Sequence, residues 1–489
     1  MTPTDHDKTL RHSLERLIAD HVACGLPRFA TFWRYFRNPA VPVGGAVHPA
    51  QMMGLPGRLK PSEGRSREIV IENDIAWRVD TLVDFMFGKP VEITPQTPDP
   101  QRSALIRRFL SAVIEVNGGA NLLQNAAVLG TVYGHVDLMV RVRGGGPFNL
   151  ADPADAASRF VIEPVDARRG IPVLAEDDYR RLSGYMLRVE SASADTKPSL
   201  MDRVKGRLLN DAAPPAQQAK QYRVQVWDHG RVADYIETPG KGCRRIGAAR
   251  NRLGRIPVVH IQNLPQPLSY SGLSEVEPLI PLQDELNTRL SDRANRITMQ
   301  AFKMYLGKGI EQFTERPVSP GQMWQTDNPE ASIQEFGGDA DNPSEEAHIN
   351  DIRDAMDKTS GVSPVAAGVI RGKVGNLSSQ NAVRLVLMGL LARVERKRVT
   401  YGEGLKQLCE LVLHAADVYG VLPNTPDERR VRIDWPDPVP ENQREQLELA
   451  QSKIELGVPR QVVLNELGYG DCAEEQVGRA FLPVSRPKA

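Results

Sequence analysis

The chain has 489 residues, enough for two to four domains with sizeable cores. Its 61 lysines and arginines equal its 61 aspartates and glutamates, so it lacks the basic excess of a protein that holds DNA tightly over a large footprint. Hydrophobic residues make up 41% of the chain, yet no run of about 18 apolar residues occurs, and we expect no membrane span.

The N-terminus and the cysteines indicate a protein of a reducing compartment. Residues 1–17 lack an apolar core, so we expect no signal peptide. The cysteines lie far apart, at Cys24, Cys243, Cys409 and Cys472, and form no CxxC pair. We therefore expect no disulfide framework.

Helical periodicity dominates the first part of the chain. Apolar residues recur on one face over residues 9–36, 72–87, 101–116 and 121–132, which predicts helices there. Gly118 and Gly119 supply the turn between the last two. Residues 136–142 alternate like a strand, and the Pro/Gly-rich segment 38–61 is predicted to be a surface loop or arm.

A β-rich region follows these helices. Short candidate strands cover residues 160–163, 185–190, 221–227, 233–237 and 258–262. Asp228-His229-Gly230 has the composition of a hairpin turn between two of them. The insertion 191–219 is polar, and no role is assigned to it.

The stretch 272–306 is predicted to form one long helix. Ser274 and Glu277 have the spacing of a capping box, and Pro278 falls in the first turn, where its missing N–H costs nothing. Pro281 marks either a kink or the true start. A narrow apolar stripe then runs along an otherwise polar helix, through Leu282, Leu286, Leu290, Ile297 and Ala301. The stripe fits an amphipathic helix over an ordinary core, and it also fits a helix packed side by side with copies of itself.

Two more long helices follow a short irregular segment. Residues 307–338 are β-leaning, and a helix is predicted over 345–358. After a loop of small residues, 360–377, another long helix is predicted over 378–418, with a bend near Gly402 and Gly404. A strand over 431–435 and helices over 442–455 and 460–467 come last.

The sequence contains no catalytic motif that we recognise. It has no GxxxxGK[ST] phosphate loop, no HxxxH or HExxH zinc spacing and no GxSxG elbow. No tight acidic cluster suggests a two-metal nuclease. We therefore expect a protein that is not an enzyme and that uses no metal and no cofactor.

The most informative feature is the arrangement of the helices. Two helices that flank a compact insertion predict a hairpin stalk with a head at its tip. The loop 364–377 then lies at the opposite end of the stalk, and it carries Arg371 and Lys373. In a ring of several copies such loops would line a central hole. Both cations fit equally well as solvated loop charges.

Five stretches carry a family likeness in their order and spacing. They are Phe87-Gly88-Lys89-Pro90-Val91-Glu92-Ile93, residues 251–259 running on to 270–275, the helix 279–302, residues 378–391 and the C-terminal run 445–467. Through them the chain resembles the portal proteins of tailed bacteriophages, in the branch typified by siphophage portals. In the third stretch the matching residues are Leu282, Asp284, Asn287, Ser291, Asn295 and Ala301. The resemblance spans most of the chain from Asp74 onward.

The resemblance implies an α+β, mainly helical portal fold, assembled as a ring of usually twelve subunits at one capsid vertex. The expected parts are the N-terminal part of the wing (1–273), the first stem helix (274–303), a small α/β clip (304–340), the second stem helix (341–360), the tunnel loop (361–377), the tunnel-loop helix with the return to the wing (378–440) and a helical crown (441–489).

The resemblance also implies partners and the residues that would meet them. Double-stranded DNA passes the axial channel, so we expect it beside the tunnel-loop residues Arg371, Lys373, Val374 and Asn376. The large terminase subunit, and later a head-completion adaptor, would dock on the clip through Gln312, Arg316, Gln322 and Trp324. Stem packing would fall to Leu282, Leu286, Leu290 and Ile297. Major capsid and scaffolding proteins are further expected partners, and the expected location is the virion, with the host cytoplasm during assembly.

Two other classes of function stay open at this point. A ring-forming head–tail connector or scaffold that does not conduct DNA would share the architecture. An enzyme of unrecognised type that acts on nucleic acid would show metal- or ATP-dependent turnover. The neutral net charge fits a channel through which DNA slides better than a protein that holds DNA, because each neutralised phosphate adds affinity. Ring size and a hole of roughly 20 Å or more separate the channel from the connector.

Overall fold

The computed structural model describes residues 3–43, 46–60, 67–144, 156–191, 220–301, 304–308, 329–336, 343–368, 380–439 and 443–467. The chain divides into two compact units. The first comprises residues 1–369 and 389–436, and the second comprises residues 370–388 and 437–489. None of the helices in the described residues is long and apolar enough to cross a membrane.

Helices and strands alternate in blocks along the chain. The helices are α1 (Pro3–Asp20), α2 (Leu26–Arg37), α3 (Asp74–Phe87), α4 (Pro100–Val116), α5 (Ala120–Tyr133), α6 (Ile280–Ala301), α7 (Pro343–Ser360), α8 (Gln380–Val386), α9 (Met388–Val418), α10 (Gln443–Glu455) and α11 (Arg460–Glu466). A π-helical turn, His21–Gly25, joins α1 to α2.

The strands fall into small antiparallel sheets. They are β1 (Ala40–Val43), β2 (Ala46–Pro49), β3 (Glu92–Pro95), β4 (His135–Val142), β5 (Phe160–Val165), β6 (Gly170–Leu174), β7 (Leu182–Ser191), β8 (Gln221–Trp227), β9 (Arg231–Thr238), β10 (Gly242–Arg250), β11 (Val258–Gln262), β12 (Met304–Lys308), β13 (Ser332–Phe336) and β14 (Val431–Asp434). Their orders are β10-β9-β8-β7-β6 in the largest sheet, β11-β4-β5 in the next, and the pairs β1-β2, β12-β13 and β14-β3. The chain is therefore a mixed α and β protein.

Local sequence explains most of the element ends. The Asn73 side chain accepts the Ala76 N–H at the start of α3, and Asp99 caps α4, which opens on Pro100. Gly134 ends α5 in the left-handed conformation. The Asp228 carboxylate accepts the N–H groups of Gly230 and Arg231, so the predicted hairpin turn between β8 and β9 is confirmed.

The first unit has two main apolar cores. In one, aromatic residues of α2 pack with α3, α5, α6 and α7, and Leu286 and Met356 are fully buried there. In the other, α1 covers one face of the five-stranded sheet through Leu14 and Ile18. The opposite face of that sheet packs on the three-stranded sheet, where Met139 meets Tyr185. Burial of these side chains supplies most of the drive for folding.

Three expectations from the sequence are wrong. Segment 38–61, predicted to be a surface loop or arm, forms the β1-β2 hairpin and buries Met52, Leu55 and Leu59. Strands β6 and β10 were not predicted, because β6 carries Pro172 and β10 consists largely of glycine, alanine and arginine, which give no alternating pattern. The single helix predicted over 378–418 is interrupted at Leu387, between α8 and α9. Helix α9 continues as α-helix through Gly402 and Gly404, and the bend expected there stays a prediction.

Candidate functional site: a buried ionic joint at the base of a helical hairpin

Helices α6 and α7 form a hairpin with the two-stranded sheet β12-β13 between them in the chain. Leu286 and Leu290 of α6 pack with Ile349 and Ile352 of α7, and Arg296 pairs with Glu345. The Ser274 hydroxyl accepts the N–H groups of Val276 and Glu277 and so caps the turn that leads into α6. The reciprocal half of the predicted capping box is missing, because Glu277 pairs with Arg28 instead. Helix α6 begins at Ile280, so Pro281 marks the start and not a kink.

One polar face of α6 holds an extended segment of the same chain. Four side chains spaced four residues apart, Gln283, Asn287, Ser291 and Asn295, bond to the backbone of residues 68–75. Asn287 Oδ1 accepts the Glu72 N–H at 3.0 Å, and Asn295 both accepts from and donates to the backbone of Glu68. Four residues of an α-helix rise about 6.0 Å, and two residues of an extended segment rise about 6.8 Å. Every fourth residue of α6 therefore lies beside every second residue of the extended segment. We call this set the amide ladder.

The amide ladder changes how the polar surface of α6 is understood. Part of that surface contacts another segment of the same chain, through residues of the amide ladder. From the sequence alone, these residues belong to a polar surface that is free to contact neighbouring molecules. Along the apolar stripe, Leu286 and Leu290 are buried, Leu282 is half-buried and Ile297 is 54% exposed. Packing of this stripe against other copies stays a prediction.

Arg78 ties the start of α3 to the end of α7. Its side chain is 2% exposed, and its guanidinium donates to Asp74, Asp357, the Ser360 hydroxyl and the Val362 carbonyl. The Asp357 bond is 2.6 Å long. Burial raises the pKa of Asp357, and the Arg78 contact opposes that rise. Every part of this guanidinium is thus used inside the chain.

A second buried cluster connects α6, α5 and α9. Glu275 is 2% exposed and bonds Arg393 through both carboxylate oxygens. Lys397, fully buried, lies 3.4 Å from the same carboxylate and donates to the Thr131 hydroxyl at 3.0 Å. Burial lowers the pKa of Lys397, while Glu275 counteracts the shift. Arg393 also donates to the Thr359 carbonyl near the end of α7.

These two clusters meet where the chain leaves the helical hairpin. Gly361 has φ +70°, and a Cβ on it would lie 3.4 Å from the Gly389 carbonyl, so the backbones pass closely there. The chain leaves this point after Gly361 and returns to it at Gly389 in α9. We call the residues around this point the ionic joint: Asp74, Arg78, Glu275, Asp357, Ser360, Gly361, Gly389, Arg393 and Lys397.

A third polar cluster lies on β4 and β11. Asp137 accepts bonds from Tyr185, Tyr270 and His260, all at 2.7–3.1 Å. His135, fully buried, lies beside the His260 ring, and its Nδ1 has no hydrogen-bond partner among the described residues. Burial lowers the pKa of His135 to about 4. Asp137, Tyr185 and Tyr270 are buried, and His260 keeps 19% of its side chain exposed.

The predicted contact residues for DNA and docking proteins lie outside the described residues. These are Arg371, Lys373, Val374 and Asn376 in the expected tunnel loop, and Gln312, Arg316, Gln322 and Trp324 in the expected clip. Two of the cations that follow the loop pair within the chain: Arg384 with Asp437, and Arg393 with Glu275. The described residues contain no group of three or more His, Cys, Asp or Glu side chains arranged to hold a metal.

The comparisons with known proteins point to one family. Residues 65–479 match the family model described as "Phage portal protein, SPP1 Gp6-like". No curated protein sequence matches the chain. Among solved structures, the neck of an empty GTA particle, computed with C6 symmetry, aligns at 13% identity with TM-score 0.48, over 81% of this chain and 90% of that one. The virion of a native gene transfer agent particle aligns at 11% identity with TM-score 0.44, over 80% of this chain and 88% of that one.

The assignment rests on the family match alone. That match begins just before the extended segment 67–73 and covers both helices of the hairpin, the ionic joint and α10. It also covers every stretch on which the resemblance was based. The chain belongs to the SPP1 Gp6-like family of phage portal proteins.

Proposed function

We propose that this chain forms a ring, usually of twelve copies, that serves as the passive channel for double-stranded DNA at one capsid vertex. The observation that carries the proposal is the family match over residues 65–479. The described geometry supports it, because the α6–α7 hairpin and the segment that leaves the ionic joint correspond in order to the expected stem and tunnel loop. On this proposal the protein is a virion component that assembles in the host cytoplasm.

The channel works without chemistry of its own. DNA moves past the tunnel loop, 361–377, and the ionic joint keeps the base of that loop in a fixed place. Buried charges with several partners each resist displacement, because separating them leaves an uncompensated charge. The large terminase subunit supplies the motion during packaging, the head-completion adaptor replaces it on the clip, and capsid and scaffolding proteins hold the ring at the vertex.

Electron microscopy of the purified chain, with its mass in solution, tests the ring. We expect rings of about twelve subunits with a hole of roughly 20 Å or more, wide enough for a duplex. Rings with a closed or narrower centre would favour a head–tail connector or scaffold that does not conduct DNA. A monomer or dimer that stays so when mixed with capsid and scaffolding proteins would overturn the proposal.

Charge removal in the loop tests DNA passage separately. We expect Arg371→Ala with Lys373→Ala to leave ring assembly unchanged and to alter the amount of DNA packaged by an in vitro system. The matched control is Arg180→Ala with Arg181→Ala, which removes two exposed cations of the β6–β7 turn. Equal packaging by the loop variant, the control and the wild type would place the loop cations away from DNA.

A further inference from the structure

The strongest concentration of charge in the described residues lies on an edge strand that the proposed function does not use. Residues 241–255 contain six cations and no carboxylate, in a chain whose net charge is zero: Lys241, Arg244, Arg245, Arg250, Arg252 and Arg255. Strand β10 carries three of them and, among the described strands, is the outermost of the five-stranded sheet, with β9 as its one neighbour. An edge strand presents unpaired backbone groups that can accept a further strand.

None of the described strands bonds the outer side of the β10 backbone. The Asn251 N–H donates inward to Gly230, so by antiparallel alternation the N–H groups of Arg250 and Ala248 point away from β9. Residues 244–246 and 248–250 are all exposed, with Ile246 at 47%. Gly247, Ala248 and Ala249 have little or no side chain, which leaves room for another backbone at strand spacing.

The chain itself shows what kind of group this edge attracts. At the N-terminal end of β10 the Cys243 N–H donates a hydrogen bond of 2.9 Å to the carboxylate of Glu15 in α1. Arg244 and Arg250 have no ion-pair partner among the described residues. Arg250 stands directly opposite Arg231, whose charge is only partly offset by Asp228 at 3.5 Å, and like charges in opposed positions of a sheet destabilise it. An acidic neighbour would relieve that repulsion.

We propose that β10 binds an acidic, extended segment of another protein, which adds to the sheet as a sixth strand. The partner's carboxylates pair with Arg244 and Arg250, and its backbone bonds the outward N–H groups of Ala248 and Arg250. A second copy of this chain is a poor occupant, because β10 paired with β10 opposes arginines with arginines. The other edge of the sheet, β6, carries Pro172, which has no N–H to donate. This proposal does not rest on ring formation.

A labelled decapeptide of the repeat Glu-Glu-Thr-Thr, which places glutamates on both faces of a strand, tests the surface on the full-length protein, because the β10 bulge puts Arg244 and Arg250 on opposite faces of the sheet. We expect salt-sensitive binding, seen by fluorescence anisotropy, and at least tenfold weaker binding of the same peptide with glutamine for glutamate. Arg244→Gln with Arg250→Gln should weaken binding roughly five- to tenfold, through loss of two exposed ion pairs. The matched control, Arg180→Gln with Arg181→Gln, removes the same charge from the β6–β7 turn and should bind as the wild type does.

A backbone variant separates strand addition from simple charge attraction. Ala248→Pro removes an outward N–H without touching the β9 ladder, so it should abolish peptide binding while keeping the circular dichroism spectrum and melting temperature. Hydrogen exchange of the wild-type protein with bound peptide should slow at Ala248 and Arg250, which tests the same point if the proline variant does not fold. Binding that survives Ala248→Pro without protection of these amides overturns the proposal. So does a 20-base-pair DNA duplex that binds more tightly than the peptide and is unaffected by the proline, since β10 would then be a nucleic-acid surface.

Discussion

Two polar regions border helix α6, and they differ in the kind of polar group that they bury. At its N-terminal end the ionic joint buries full charges, with Glu275 held between Arg393 and Lys397. Along its length the amide ladder uses neutral side chains, which pair with a backbone segment and grade from buried to half-buried. A broken buried ion pair leaves a charge without a partner, whereas a broken neutral bond leaves at most one unsatisfied dipole. Disrupting the ionic joint should therefore cost more free energy of unfolding than disrupting the amide ladder.

The largest expected effect is at Glu275. We expect Glu275→Gln to lower the free energy of unfolding of the first unit by about 3 kcal/mol or more, because Lys397 then stays buried without a counter-charge. Thermal and guanidinium unfolding measure the loss. The double variant Glu275→Gln with Lys397→Met should recover part of it, since the fully buried charge is gone while Arg393, 23% exposed, keeps its bond to the Thr359 carbonyl.

The control for that experiment lies on the same helix as Lys397. Glu403 faces solvent on α9, 3.8 Å from Lys406, and Glu403→Gln should change stability by less than about 0.5 kcal/mol. If the double variant proves as unstable as Glu275→Gln alone, the loss comes from the glutamate's own packing and the joint is not held by its charges.

Acid pH gives the next largest effect, through His135. Its pKa of about 4 lies below the ordinary value of 6.5, so the unfolded chain takes up the proton first. The stabilising contribution is therefore complete above pH 6.5 and is lost as the pH falls toward 4, by about 3 kcal/mol in total. Asp137, His260 and Arg28 are the charged or titratable groups that face this ring.

A substitution isolates the contribution of His135 to this pH dependence. His135→Phe keeps an aromatic ring against Phe29 and Tyr270, and it should flatten the fall of melting temperature between pH 6.5 and 4. His229→Gln, in the exposed turn between β8 and β9, serves as the control and should keep the wild-type profile. An unchanged profile in His135→Phe would assign the acid sensitivity to another group, such as His21, whose pKa burial also lowers.

Substitutions at the two glycines of α9 test how tightly this helix packs against its neighbours. A Cβ on Gly404 would collide with Ile261, whereas a Cβ on Gly402 would meet the Trp435 ring at an ordinary 3.4 Å. We expect Gly404→Ala to cost about 2 kcal/mol through overpacking. Gly402→Ala should be neutral or stabilising by up to about 1 kcal/mol, because alanine is the better helix former. Melting temperatures of the two variants check this, and equal losses would show that the Ile261 contact does not set the cost at Gly404.

The sequence predicted the elements whose signals lie within a few neighbouring residues. The start of α6 follows from Ser274 and the prolines, and the hairpin turn follows from Asp228-His229-Gly230. The ionic joint has no such local signal, because Glu275 and Lys397 are far apart in the chain. Lys397 also lies in a run of cations, a pattern that is typical of a solvent-exposed helix face. The amide ladder did leave a trace, since Gln283, Asn287, Ser291 and Asn295 recur at spacing four. Only the extended segment 67–73 reveals what that spacing is for.

The smallest effects are expected within the amide ladder, and they should decline along it. Asn287 bonds Glu72, Gln283 and Gln51 and is fully buried, so Asn287→Ala leaves several polar groups unsatisfied and should cost about 2 kcal/mol. Asn295 bonds Glu68 at the more exposed end, where water replaces the lost bonds, and Asn295→Ala should cost about 0.5 kcal/mol. Amide hydrogen exchange resolves the difference locally: Asn287→Ala should speed exchange at Glu72 and Asn295→Ala at Glu68. Equal costs at the two positions would mean that the segment detaches as one piece, and the ladder would then be a single cooperative strap along α6.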